Sequence, residues 1–322
     1  MRATGGGWSR IWRSRDIGVF VAALAVALFF TIFAPRFLTA YNLFNIVRQA
    51  AELGIIAMAM TILIAAGEFD LSVGAIYAVS GIVTGLVFKR LDVSLWLGGA
   101  IAVSFCLGLG FLNGLLVLKT KMHSFIATLA TRMVYRGIAM VISQGQPVSA
   151  FPDQFFFEFF GRSRLFGSLP VPIVWFVLAA IVLFFVLHRT LFGVHVFATG
   201  GNREAANLAG INTARVKQLS FMITAGSAGF AGLISLGYLK SVTPTQGTGL
   251  ELEAIAASVI GGTSMRGGMG SIVGAFLGAF IMAEVRTGLV LMGTDAYVQD
   301  AFVGLIIALA VIINVRFGRA RS

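Results

Sequence analysis

Residues 17–34 read Ile-Gly-Val-Phe-Val-Ala-Ala-Leu-Ala-Val-Ala-Leu-Phe-Phe-Thr-Ile-Phe-Ala, a run without a single charge. It begins after Arg2, Arg10, Arg13, Arg15 and Asp16 and ends at Pro35. About 18 apolar residues are enough to cross a bilayer as a helix. A basic start and an apolar core also suit a signal peptide, but no A-x-A-like cleavage site follows. The run therefore reads as a first transmembrane helix that stays in place.

The rest of the chain has the same character. Of 322 residues, 58% are hydrophobic and only 11% are charged, and the mean hydropathy is +0.92. Soluble domains carry about 25% charged residues. So much apolar surface cannot stay in water, and disorder needs low hydrophobicity. A soluble enzyme and a disordered chain are both excluded. Further apolar runs lie near 44–66, 71–88, 94–118, 122–142, 170–187, 217–239, 251–264, 271–293 and 296–315. The expected fold is an all-α integral membrane protein of about ten helices. Two runs are unusual. The 44–66 run contains Arg48 and Glu52, and the 251–264 run opens with Glu251 and Glu253 and ends at Gly261-Gly262. Short or Gly-interrupted runs of this kind suggest helices that break or penetrate only partly.

Charge orients the chain. The formal net charge is +11, carried by 19 Arg and 5 Lys scattered singly between apolar runs. With both termini in the cytoplasm, fourteen basic residues fall inside, seven outside and three within spans, as the positive-inside rule requires. Residues 1–16 and 316–322 are then cytoplasmic tails, and 17–315 form the membrane domain. An outer loop covers 143–169 and an inner loop 188–216. Nucleic-acid binding lacks a basic domain; membrane lipid surrounds the spans instead. The outer loop holds Phe155-Phe156-Phe157, which suits an interfacial aromatic belt or a partner contact.

No catalytic constellation stands out. Cys106 is the only cysteine, and His123, His188 and His195 lack metal-ligand spacing. There is no G-x-x-x-x-G-K-[ST] loop, so this chain is not expected to hydrolyse ATP, and it is not expected to be an enzyme. Polar residues at membrane depth are costly and draw attention. Asp70 and Ser72 head a helix, as caps or as gating groups. Arg132 and Arg136 lie four apart on one helix face, and with Phe125 and Thr128 they form a partly polar stripe. That stripe lines a passage, or its arginines pair with acids. Asn113, Ser258 and Glu253 complete the pathway candidates; amides and hydroxyls bind sugar hydroxyls and also join helices. Glu284 and Arg286, near the end of the 271–293 run, mark the mouth of a pathway or neutralise neighbours. Gly270, Gly274 and Gly278 share a face that permits close helix approach.

The inner loop carries the most specific pattern, Gly200-Gly201-Asn202-Arg203-Glu204-Ala205-Ala206-Asn207-Leu208-Ala209-Gly210-Ile211. Asn202 is a good N-cap, Glu204 suits the first turn, and Gly210 can end the helix in the left-handed region. A helix of about two turns is marginal alone and needs a groove, in this chain or in another.

This segment resembles the loop signature of the ribose-type sugar permeases, the membrane subunits of bacterial ATP-binding-cassette importers. Residues 67–74, Gly-Glu-Phe-Asp-Leu-Ser-Val-Gly, resemble that family's Gly-Gly-Ile-Asp-Leu-Ser-Val-Gly motif. Gln144 to Val148 and the stretch from Gly249 to Gly268 are similar as well. Glu68-Phe69 departs from Gly-Ile, and Glu253 stands where Asp is common. The resemblance implies a type II importer-like permease in the bacterial inner membrane. It implies that Gly201, Asn202, Arg203, Glu204, Ala205, Ala206, Leu208 and Gly210 dock on a partner ATPase, which holds ATP and Mg. It also implies a sugar-binding protein outside and a second permease subunit. The function expected is import of a monosaccharide or related small sugar. The runner-up is an ion- or proton-coupled carrier, which would need a coupling carboxylate such as Asp70 or Glu253.

Overall fold

The computed structural model describes residues 15–318; the cytoplasmic tail expected at 1–16 falls almost wholly outside them. Helices dominate. They are α1 (Arg15–Phe33), α2 (Ala40–Ala65), α3 (Val73–Leu91), α4 (Leu95–Thr120) and α5 (Ser124–Ser143), then the short α6 (Phe155–Phe157), which runs into a π-turn at Glu158–Arg162. A two-stranded hairpin, β1 (Arg164–Leu165) and β2 (Leu169–Pro170), precedes α7 (Pro172–His188), α8 (Leu191–Gly201) and α9 (Arg203–Leu208). Last come α10 (Thr213–Leu239), α11 (Leu250–Ile260), α12 (Ile272–Leu291) and α13 (Ala296–Gly318).

Each of the ten apolar runs holds a helix, but not every helix is a span. Among the described residues seven helices are individually long and apolar enough to cross. Helices α7 and α8 pass that test only together, across a 67° bend, which makes up to eight. Helix α11 has 11 residues. At 1.5 Å per residue it covers roughly half of a ~30 Å hydrocarbon core. The expectation of about ten spans is sharpened accordingly: residues 250–260 form a half-helix. In α13 the apolar part among described side chains is Tyr297–Ile312.

Helices α2 and α10 form the centre. Helix α2 is buried along most of its length and packs on α7, α10, α11 and α12, while α10 lies against α3 and α4. A helix that is apolar all round belongs in such a position. Helices α1 and α5 are mostly exposed, as lipid-facing or partner-facing helices are. Small residues set the spacing. A Cβ at Gly274 would lie 1.9 Å from the Gly261 carbonyl oxygen, so the glycine face of α12 serves the seat of α11 within this chain. A Cβ at Gly200 would lie equally close to the carbonyl of Ala65.

The ends that alternate in sequence gather in space. At one end the Gly268 amide donates to Ala65 (2.9 Å), the Ser271 hydroxyl donates to Asp16 (2.7 Å), and Lys217 pairs with Glu68 (2.5 Å). At the other, Lys240 pairs with Asp153 (2.5 Å), Arg90 donates to the Ile142 carbonyl (3.0 Å), and Val148 bridges Val242. The Phe triplet is mostly core: Phe156 and Phe157 are buried and only Phe155 is exposed. Phe156 and Phe160 pack around Trp96, and Trp175 stacks on Phe160. A belt reading thus fits one ring of the three.

Candidate functional site

Two breaks in the helical packing carry most of the buried polar groups. The first is the joint between α2 and α3. Asp70 accepts from the Ser72 amide (2.8 Å) and hydroxyl (2.6 Å) through one oxygen, and from the Asn113 amide (3.1 Å) through the other. Asn113 also donates to the Ser72 hydroxyl (2.8 Å) and accepts from Tyr135 (2.8 Å). The Thr128 hydroxyl accepts from the Leu71 amide, and Ser124 from the Phe69 amide, both at 3.0 Å. Asp70, Ser72, Asn113 and Thr128 are all fully buried. Four of the sequence candidates therefore meet in one place: Asp70, Ser72 and Asn113 bond one another, and Thr128 holds the adjoining Leu71 amide. The network ties the joint to α4 and α5. Ser72 is the residue before α3, yet its side chain makes no cap bond. Asp70 folds back on Ser72 instead.

Glu68 belongs to the same joint, and its departure from the family pattern has a structural cause. It is buried against Lys217 at the start of α10. A carboxylate there neutralises a buried ammonium, whose isolation would be expensive.

The second break precedes α11. Glu251 and Glu253 stand in its first turn, where carboxylates favour the positive end of the helix. They point to opposite neighbours. Arg132 of α5 lies 2.7 Å from Glu251, and Arg286 of α12 lies 2.8 Å from Glu253 and 3.6 Å from Asp300. Arg136 donates to the carbonyls of Pro244 (2.5 Å) and Gln246 (2.8 Å). The arginines read as a stripe on α5 thus grip the approach to α11. The Arg132–Glu251 contact is an ion pair without hydrogen-bond alignment. Among the described residues neither Glu251 oxygen has a hydrogen-bond partner.

Beside this break lies a cavity of about 210 Å³, smaller than the ~300–1,000 Å³ clefts of drug-sized ligands. Its polar lining is Gln49, Glu52, Tyr77, Thr248, Glu253 and Arg286. Glu52 accepts from Tyr77 (2.6 Å) and from Arg48 (3.0 Å), and Gln49 donates to Thr287 (3.1 Å). Both carboxylates are matched by an arginine. A balanced lining rich in hydroxyl, amide and carboxylate groups suits a small neutral polyol better than an ion. Of the residues singled out in the sequence for a pathway or its mouth, Glu253 and Arg286 line it. Gln49, Tyr77 and Thr248 had no sequence signal; Glu52 had one, its i,i+4 spacing from Arg48 at the polar start of an apolar run.

The other candidates sit elsewhere. Ser258 donates to the carbonyls of Ala57 and Ala254, both at 2.8 Å, and joins α11 to α2. Phe125 is half exposed on the outer surface of α5.

The inner loop forms as expected. Asn202 caps α9 by accepting from the Ala205 amide (3.0 Å), and Gly210 ends it at φ +82°. Gly201, Asn202, Arg203, Glu204, Ala205, Leu208 and Gly210 are exposed, and Leu208 is 91% exposed. Ala206 differs from its reading as a surface residue. It is only 4% exposed and faces its own chain, since a helix this short must bury one side against the bundle. The apolar projection available to a partner is Leu208.

A family described as branched-chain amino acid transport system, permease component, matches residues 42–311. The chain belongs to this family. Relatives match along nearly their whole length. A ribose import permease of Bacillus subtilis is 40% identical over 301 residues, covering 93% of this chain and 92% of that protein. An L-arabinose transport system permease of Escherichia coli is 35% identical over 308 residues (95% and 92%). A xylose/arabinose import permease of Sulfolobus acidocaldarius is 35% identical over 315 residues (96% and 87%). No solved structure matches the chain. The chain is thus a transporter permease subunit, a multi-pass membrane protein and not an enzyme. The runner-up reading as an ion-coupled carrier gains no support: Asp70 is saturated by hydrogen bonds, and Glu253 is held by Arg286.

Proposed function

We propose that this permease imports a monosaccharide, with the pentoses named by its relatives as first candidates. The carrying observation is the near full-length likeness to ribose, arabinose and xylose permeases. The charge-balanced polyhydric lining near α11 supports the same substrate class. Two permease copies form the pathway in the bacterial inner membrane, with the Gly200–Gly268 end toward the cytoplasm. A binding protein delivers the sugar at the opposite end. A partner ATPase, which holds ATP and Mg, docks on α9, where Leu208 supplies an exposed apolar contact. Its cycle biases the permease between two arrangements. The half-helix α11, gripped by arginines from α5 and α12, is the element best placed to differ between them.

Reconstitution tests the proposal. The permease is placed in vesicles with or without its cassette ATPase, and uptake of radiolabelled ribose, arabinose and xylose is followed. ATP-dependent uptake of one of them, only with the ATPase present, is expected. Uptake driven by a proton or sodium gradient without the ATPase would overturn it.

A further inference from the structure

The end of the bundle that carries the Lys240–Asp153 pair holds a second cavity, of about 420 Å³. Tyr41, Asn45 and Arg48 line it from one face of α2, Arg162 and Arg164 from the π-turn and β1, and Tyr238 from the end of α10. Three guanidinium groups therefore border one space. Only Arg48 has a carboxylate partner, Glu52, and it also lies 4.2 Å from the Tyr238 ring. Its Nε is buried without a hydrogen-bond partner. Among the described residues no carboxylate comes within ion-pair distance of Arg162 or Arg164. Arg162 feels the Asp153 carboxylate only beyond ion-pair distance, and that group already pairs with Lys240, so the cavity keeps a net positive charge.

Its place in the fold tells which anion fits. It opens at the first turns of α2, and Arg48 lies eight residues along, roughly 12 Å below Ala40. Leu38, Tyr41 and Leu43 are exposed at the same corner. Exposed apolar side chains beside a cavity bordered by arginines suit a molecule with acyl chains and a phosphate. Exposed tyrosine belongs at headgroup level. Arginine is the side chain whose fork matches phosphate oxygens.

We propose that this cavity binds the headgroup of an anionic phospholipid from the leaflet that meets this end of the bundle. Arg162 and Arg164 hold the phosphodiester at the level of Tyr41, and the chains pass from there into the surrounding bilayer. Arg48, already paired, forms the floor.

The full chain is placed in nanodiscs of phosphatidylcholine with a minor fraction of phosphatidylglycerol, and retained lipid is read by native mass spectrometry. Wild type is expected to enrich phosphatidylglycerol. R162Q/R164Q is expected to lose that enrichment by roughly tenfold or more, from the loss of two basic groups at the membrane surface. R189Q/R266Q removes equal charge from exposed positions at the opposite end and is expected to keep it. Unchanged thermal unfolding of both double variants excludes a folding artefact. Three outcomes would overturn the proposal. One is equal retention of the two lipids by wild type, or equal enrichment by R162Q/R164Q. Another is displacement of the lipid by equimolar soluble glycerol phosphate, which would mark a site for phosphate alone. The third is intact enrichment in R162Q/R164Q with loss of salt-sensitive capture of the binding protein, which would assign the arginines to a soluble acidic partner.

Discussion

The joint before α3 and the joint before α11 look alike in sequence, each a glycine followed by acidic residues and a helix. They are built on opposite principles. At the first, Asp70 accepts three hydrogen bonds from neutral donors, two from Ser72 in the joint itself and one from Asn113 of α4. No cavity adjoins it among the main cavities. At the second, Glu251 and Glu253 rely on arginines from other helices, Glu251 lacks aligned hydrogen bonds, and a cavity lies alongside. A saturated dry network has one good arrangement, and disturbing it leaves buried groups unpaired. Long arginine side chains across a cavity can follow a moving partner. The first joint is built as a fixed corner, and the proposed function makes the second a hinge under ionic control.

Removing the centre of the fixed corner should do the most damage. Asp70→Ala leaves Asn113 and the Ser72 amide short of acceptors, and about 4 kcal/mol of stability should be lost. Thermal unfolding in detergent measures it; a native-like midpoint would show that the corner is not rigid. Lys217→Met strands Glu68 and should cost about 3 kcal/mol. The double variant K217M/E68Q should recover most of that, because no buried charge remains. Failure of the double variant to recover would remove the pairing explanation for Glu68.

The hinge should respond differently. Arg132→Gln leaves the fully buried Glu251 without its ion pair and is expected to cost about 3 kcal/mol, and also to reduce ATP-driven uptake by roughly tenfold or more. Stability lost without any loss of uptake would make the second joint a corner like the first. Leu208→Asp should change stability by less than about 0.5 kcal/mol, as an exposed position allows. Co-purification with the ATPase should nevertheless fail, and full retention would move the docking contact away from α9.

The smallest effect is expected at Asp153. The ammonium of Lys240 holds its carboxyl below the usual range. A depressed pKa contributes above the unfolded value and is lost as pH falls through the folded one. The carboxylate is nearly fully exposed, so Asp153→Asn should lower the unfolding midpoint only slightly at neutral pH, and that small difference should vanish as acid protonates Asp153 in the wild type.

Much of the molecule was legible in residues 15–318 as a string. Apolar runs separated by Gly, Pro and basic residues located ten helices, because burying a helical turn in lipid demands nearly uninterrupted apolar side chains. The shortness of the 251–264 run foretold a partial helix, whereas the same reading of the 44–66 run was wrong: α2 runs unbroken over Ala40–Ala65 because Arg48 and Glu52 pair with each other. Asn202 and Gly210 marked both ends of α9, since caps are local chemistry. Partnership between distant positions was not legible. Nothing in the string joins Asp70 to Asn113 or Arg286 to Glu253, and Tyr77 gave no sign that it meets Glu52.

The sequence by itself determined that this protein lives in a membrane, where its long helices lie, and which loop carries the short capped helix. Those properties depend on residues within one or two turns of each other and on bulk transfer from water. The tertiary structure alone decided which polar groups are saturated and which border a cavity. It also turned Ala206 inward and left Leu208 exposed. Such choices depend on how helices far apart in the chain pack, and a hydrogen bond or an ion pair forms only where that packing brings its two ends within about 3 Å.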